Sequence, residues 1–460
     1  MENFNYLSDI KVRASVGVVG NAHIPDHLYD QYYTSSNSGY TLNGVLNAGY
    51  NIGNLANTNL QWESTFSRNI GFDFGILRNK FQVSVDVYSN TTNKLLVKVP
   101  LPQSSGYTSQ IQNVGSTNNT GVELQLAGTL VRERDFTWSF SFNVSHNDNI
   151  IKSLGSEQNF YLQNSGWAGA SNLADYIVKV GEKVGSMYGY VNDGFYTTND
   201  FNWTPNGNMT SDNKQLGTYT LKPGVASNAG VTSTVVQPGS IKYKDLNGDG
   251  IVDYNDRTII GCSQPIAFGG LTQTFKYKNW DASIFLNYRI GGNVVNDNKL
   301  EFTSGYTPGA NMLAVMDNRW SVVNDNGVAY QQYDGKSTVT GVSPDNLNSI
   351  NKNSSIWLPS VGSSSSAFSP MSYAIEDASF LRINNITIGY SLSGTSSLMK
   401  RVGVTRLRVY ATVNNLAVIT GYSGYDPEVN TRRDSPLTPN VDYSAYPRSR
   451  GYVCGINLNF

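Results

Sequence analysis

Apolar and polar residues alternate along ten separate stretches of this chain. Each stretch predicts a β-strand, because successive side chains of an extended strand point to opposite faces. The clearest is 136–144, where Phe136, Trp138, Phe140, Phe142 and Val144 share one parity and Thr137, Ser139, Ser141 and Asn143 the other. Residues 61–76 set Trp62, Phe66, Ile70, Phe72, Phe74 and Ile76 against Glu63, Thr65, Ser67, Asn69, Gly71 and Asp73. Arg68 breaks the apolar parity there and is expected near an interface, its stem on apolar surface and its charge in water. Residues 10–18, 81–88 and 122–130 alternate in the same way, the last through Val122, Leu124, Leu126 and Leu130. Residues 266–276 and 280–290 form a pair about the turn 277–279, with Phe285 the exception to the pattern. In 380–392 the parity slips between Ile383 and Ile386, which predicts a β-bulge at Asn384-Asn385. Leu407, Val409, Ala411 and Val413 mark the ninth stretch, and Tyr452, Cys454, Ile456, Leu458 and Phe460 the tenth.

The connections between these stretches alternate in length. Short ones fall near 77–80, 132–135, 277–279 and 393–404, the last with a short helix expected at 396–402. Long ones, rich in Gly, Asn, Ser and Tyr and without periodicity, fall near 19–60, 92–118, 146–264, 291–375 and 418–449. Loops of that length are unusual in a compact soluble domain, whereas an outer-membrane barrel has short periplasmic turns and long extracellular loops. Trp138 and Trp280 lie beside short turns and Trp62 beside a long loop, as aromatic girdles at two rims require. The expected fold is therefore all-β: an antiparallel transmembrane β-barrel wall with its apolar parity toward lipid. The opposite parity would line a lumen with Glu63, Asp73, Asp86, Glu123, Asp281, Arg289, Arg406 and Arg408.

Composition agrees. Of the 460 residues 39% are hydrophobic, 12% aromatic and 15% charged, too few apolar groups for a large soluble α/β enzyme. No apolar run reaches the 18 residues of a transmembrane helix, but a membrane-spanning strand needs only about 9–11 alternating ones. Met1-Glu2-Asn3-Phe4 opens without the basic and apolar regions of a secretory signal. In a membrane setting, 1–460 is thus expected to be the C-terminal portion of something longer. Cys262 and Cys454 are far apart and not expected to pair. Lys and Arg (33) balance Asp and Glu (34) with no charged block, so nothing points to nucleic acid.

Candidate chemistry is sparse. Asp245, Asn247, Asp249, Ile251 (through its carbonyl), Asp253 and Asp256 stand at positions 1, 3, 5, 7, 9 and 12 of a calcium-type loop, with Gly250 at the sharp turn. These hard oxygen donors suit a structural Ca²⁺ in an extracellular loop; the alternative is an Asx- and Gly-rich turn. Asp at position 12 is shorter than the usual Glu. His23, His27 and His146 are too scattered for a zinc site, and no catalytic constellation is expected. Asp426-Pro427-Glu428 reads as an extended corner. Trp167, Trp203, Trp320 and Trp357, among many loop amides, are candidate substrate-binding aromatics. The alternative for each is packing of the loops onto one another.

Several motifs, in this order, carry a family resemblance. They are the stretch 11–21 (KVRASVGVVGN), Asn59-Leu60-Gln61-Trp62-Glu63, Gly71-Phe72-Asp73-Phe74-Gly75, the stretch 239–250 (GSIKYKDLNGDG), Ser379-Phe380-Leu381-Arg382, Asn414-Asn415-Leu416 and Gly424-Tyr425-Asp426-Pro427-Glu428. With the terminal strand they make the chain similar to the C-terminal part of SusC/RagA-type TonB-linked outer-membrane transporters. The resemblance implies the last ten strands of a barrel of about 22, and a SusD-like lipoprotein as partner. It also implies import of oligosaccharides or peptides across the outer membrane. Coupling to TonB-ExbB-ExbD would run only through the signal peptide-bearing N-terminal part, with its TonB box, plug and earlier strands, which these residues do not include. The other readings of the pattern are a self-contained outer-membrane porin or adhesin and a secreted, calcium-stabilised glycan-binding β-protein.

Overall fold

The computed structural model describes residues 7–460 except 22–25, 108, 156–158, 168–172, 233–234, 307–308, 310, 336–337, 362–368, 394–400, 402 and 432–434. His23 and the helix expected at 396–402, all but Arg401, lie outside the described residues.

One sheet runs the length of the chain. Its ten strands are β1 (Leu7–Asn21), β2 (Glu63–Ile76), β3 (Phe81–Asn93), β4 (Ser116–Arg132), β5 (Phe136–Ser153), β6 (Ala267–Tyr277), β7 (Trp280–Ile290), β8 (Phe380–Ser393), β9 (Arg406–Thr420) and β10 (Gly451–Asn459). Each pairs antiparallel with its neighbours in chain order, an up-and-down meander. Among the described residues β1 and β10 each pair along one edge, so the sheet does not close on itself.

The bulge in β8 is where the alternation slips. Phe285 and Leu286 of β7 face Asn385 and Ile383, leaving Asn384 as the extra residue. A second bulge, in β4, was hidden by a run of aliphatics. Val131, not Leu130, pairs with Trp138, so Leu130 is the residue squeezed out of the ladder. Several strands also outrun the apolar pattern that announces them: β5 continues through His146 to Ser153, beyond the last outward Val144.

The two sheet faces differ as the alternation requires. Ile70 (51% exposed), Val87, Trp280, Ile388, Val409 and Ile456 all lie uncovered on the apolar face. Arg68 projects from that face with its guanidinium 4.5 Å over the Phe66 ring. Among the described residues there are three hydrophobic clusters, and none of their buried residues belongs to the ten strands. Burying one Val, Leu, Ile or Phe is worth about 1.5–3 kcal/mol, so a sheet leaving a whole face of them bare to water would be severely penalised.

The clusters lie instead in the long connections, which corrects the expectation that these are irregular. Strands 160–163, 176–179, 186–189 and 258–262 form one small sheet, and 201–209, 215–221, 339–342 and 331–333 another. Around them close an aromatic core with Tyr176, Met187, Tyr190, Leu300 and Trp357, and a second with Tyr196, Phe201, Tyr219, Val342 and Leu347.

Candidate functional site: the polar face and its loops

On the polar face, long side chains cross glycines to reach a strand two places away. Arg13 of β1 lies over Gly71 of β2, where a Cβ would collide with it. Its guanidinium holds Asp73 at 2.8 Å and Asp86 of β3 at 2.9 Å. Arg408 of β9 passes over Gly389 of β8 to Asp281 of β7, Nε donating at 2.9 Å. Tyr88 of β3 crosses Gly121 of β4, its hydroxyl donating to Asn147 of β5 at 2.8 Å. Of the expected lumen set, Asp73, Asp86, Asp281 and Arg408 are thus assembled into networks. Arg289 instead donates to the Gly291 carbonyl at 3.3 Å and the Ser263 carbonyl.

The densest cluster joins three motifs distant in sequence. Arg382 of β8 is 1% exposed. Its Nε donates to Glu428 at 2.9 Å, one terminal nitrogen to Asp426 at 2.7 Å and the other to Asn415 at 2.6 Å. Arg448 closes the ring, 3.0 Å from Glu428 and 3.3 Å from Asp426. Two cations and two carboxylates balance, so burial strands no charge. Asn415 sits at φ 51°, a left-handed conformation that asparagine tolerates better than most. The corner at Asp426-Pro427-Glu428 is therefore a clamp that fastens the last loop to β8 and β9. Sequence reasoning identified each motif and missed their meeting. The available signal was chemical complementarity, one arginine motif and one diacid motif.

The loop 245–256 is tied by its own amides. Asp245 accepts from Gly248 at 2.6 Å and Gly250 at 2.8 Å, Asn247 from Asp249 at 2.9 Å, and Asp249 from Ile251 at 2.8 Å. Asp253 accepts from Asn255 at 2.7 Å. Asp256, fully buried, accepts from Leu246 and Asp253, each at 2.8 Å. Gly248 and Gly250 take φ of 78° and 85°, the left-handed turns their positions require. The donor set is chemically right for Ca²⁺, yet no three acidic, His or Cys side chains converge to hold a metal among the described residues.

Three of the four tryptophans expected as ligand platforms are buried. Trp167, Trp320 and Trp357 are each 3% exposed or less, within the loop cores, and Trp203 packs half-buried against the second. Trp357 donates to the Thr303 carbonyl at 2.9 Å, Trp203 to the Gly341 carbonyl at 3.0 Å and Trp320 to Gln331 at 3.3 Å. A ring buried on both faces has none left to stack against a ligand, which favours the packing alternative for Trp167, Trp320 and Trp357, while Trp203 keeps part of its ring exposed. Gly239, at φ 88° and pressed on the Trp320 ring, leaves no room for a side chain.

Ionisable groups in these loops follow their surroundings. Burial pushes Asp442 up, beside the Tyr422 hydroxyl that donates to it at 2.6 Å. Asp200 is partly buried, which opposes ionisation, but Lys242 at 2.9 Å and the Thr197 amide hold its carboxyl below the ordinary range.

Comparison with known proteins agrees with this architecture. Residues 3–224 match the family described as TonB dependent receptor-like, beta-barrel. TonB-dependent receptor P39 of Formosa agariphila is 30% identical over all of this chain and 41% of its own length. TonB-dependent receptor SusC of Bacteroides thetaiotaomicron is 28% identical over all of this chain and 38% of its own. Among solved structures, the RagAB peptide importer in its closed-closed state superposes with a TM-score of 0.68 at 25% identity, covering all of this chain and 42% of that one. The chain thus spans about two fifths of the length of the relatives it matches. Those relatives are named as receptors and importers, not enzymes. This open meander with one bare apolar face therefore carries, over residues 3–224, the TonB dependent receptor-like β-barrel domain, and over its whole length it is similar in sequence and in fold to one part of longer TonB-dependent receptors.

Proposed function

We propose that the chain forms the C-terminal part of the wall of an outer-membrane nutrient-uptake receptor that imports oligosaccharides or peptides. A SusD-like lipoprotein would cap it outside. In this reading the signal peptide, TonB box, plug and earlier strands belong to the part of the relatives' length that 1–460 does not cover, and TonB-ExbB-ExbD acts only through that part. The observation that carries the reading is the bare apolar face of the sheet, while every hydrophobic cluster sits in the loops. The test is tryptophan quenching by brominated lipids after reconstitution. Trp280 and Trp138 should be quenched and the loop-core Trp167, Trp320 and Trp357 spared; protection of all of them would overturn the membrane placement. Co-purification with a SusD-like lipoprotein tests the partner. Calcium in the loop 245–256 belongs to the same reading, supported by its all-oxygen donor set. Terbium luminescence that D249N leaves unchanged would remove it.

A further inference from the structure

At the short-turn end of the polar face lies a cleft of 550 Å³ between the β6–β7 turn and the bases of β8 and β9. Lys276, Lys278, Arg406 and Arg408 line it with a single acid, Asp281. That acid is already engaged: Arg408 takes both of its carboxylate oxygens, although Lys276 stands directly across the ladder from it. Arg406 donates to the Ser391 hydroxyl, at 3.0 Å. Among the described residues Lys276, Lys278 and Arg406 form no ion pair. Elsewhere on this face Arg13 has two carboxylates and Arg382 two more, whereas in the cleft, among the described residues, four cations share one carboxylate.

Like charges gathered around one cleft repel unless counter-charges are seated among them. The shape of the site narrows what that is. The cations stand on β6, on the β6–β7 turn and on β9, with β7 and β8 between; three strand spacings of about 4.8 Å are further than one small anion bridges. Between them stand Thr274, Asn279, Ser283 and Ser391, hydroxyls and an amide suited to the N–H and C=O groups of a backbone. We propose that the cleft seats an extended acidic peptide segment, its Asp or Glu side chains on Lys276 and Arg406 and its backbone along the intervening hydroxyls. The inference goes beyond the uptake function and does not depend on it, since the imbalance of charge is the same wherever the sheet resides.

The test uses the full chain in neutral detergent and a labelled peptide alternating Asp and Ser, read by fluorescence anisotropy. The double variant K276Q/R406Q changes two exposed side chains and should weaken binding about tenfold. The reversal K276E/R406E should abolish it and confer binding of the matching Lys-Ser peptide. Near-UV circular dichroism confirms that both variants keep the wild-type fold. Unchanged affinity in K276Q/R406Q would overturn the proposal. So would displacement of the peptide by inorganic phosphate at equal concentration, or retention of phosphatidylglycerol vesicles in place of the peptide.

Discussion

The sheet and the loops solve the same problem in opposite directions. In the loops, aromatic and aliphatic side chains turn inward, as in any water-soluble domain: Tyr176, Met187 and Leu300 are 1% exposed or less. In the sheet they turn outward, and Ile388 and Val409 are each about half exposed. One chain therefore contains a part built for water and, in the proposed reading, a part built for hydrocarbon. What separates them is not composition but period: the sheet alternates strictly, and the loops do not. A hydrophobic residue is inside or outside according to what the other face of its strand must touch.

The sharpest way to break the comparison is at the clamp where the two parts are fastened. Replacing Arg382 by Ala leaves Asp426 and Glu428 with Arg448 as their one cation and should cost about 3–5 kcal/mol, read as protease sensitivity of 421–450 at a lower denaturant concentration. If R382A digests like wild type, the clamp holds nothing. In the loop core, Trp357→Ala should cost about 3–5 kcal/mol, whereas Phe72→Ala on the sheet leaves no cavity between packed layers and should cost far less. Equal losses in chemical denaturation would erase the distinction between the parts. Ile388→Arg should cost about 2–4 kcal/mol in a bilayer; a variant that folds into vesicles as well as wild type places that face in water.

The smallest effect expected is one of pH. Asp200, held below its ordinary value of 3.8, stabilises the loops fully above that value, and the contribution fades as pH falls through its lowered pKa. Acid titration followed by near-UV circular dichroism should show this loss, and D200N should flatten it. A titration that D200N does not alter would remove the role of the Lys242 pair.

Legibility in the sequence divides along the same boundary. The ten strands, their short and long connections and the bulge at Asn384 were readable because a period of two residues is a local signal. The loop cores were not: Trp203 finds the Gly341 carbonyl 138 residues away, and nothing near either residue announces the other. Aromatics among Asn and Gly look the same from sequence whether they face a ligand or a partner loop, so Trp167, Trp320 and Trp357 were misplaced. The ladder was misjudged at Leu130, where Val131 and Leu130 are equally greasy and the alternation could not say which one bulged, and the register shifts at Leu7/Asp9 and Ser116/Thr117 left no trace in the pattern either.

The glycines beneath Arg13, Tyr88 and Arg408 have a consequence for assembly. Sliding one strand by two residues past its neighbour preserves which side chains face lipid, so alternation alone cannot forbid it. Such a slip would carry Gly71, Gly121 or Gly389 out from under its crossing side chain and put a Cβ in the way. Each gap is cut for one passenger, and the stagger between neighbouring strands is keyed at three places along the wall.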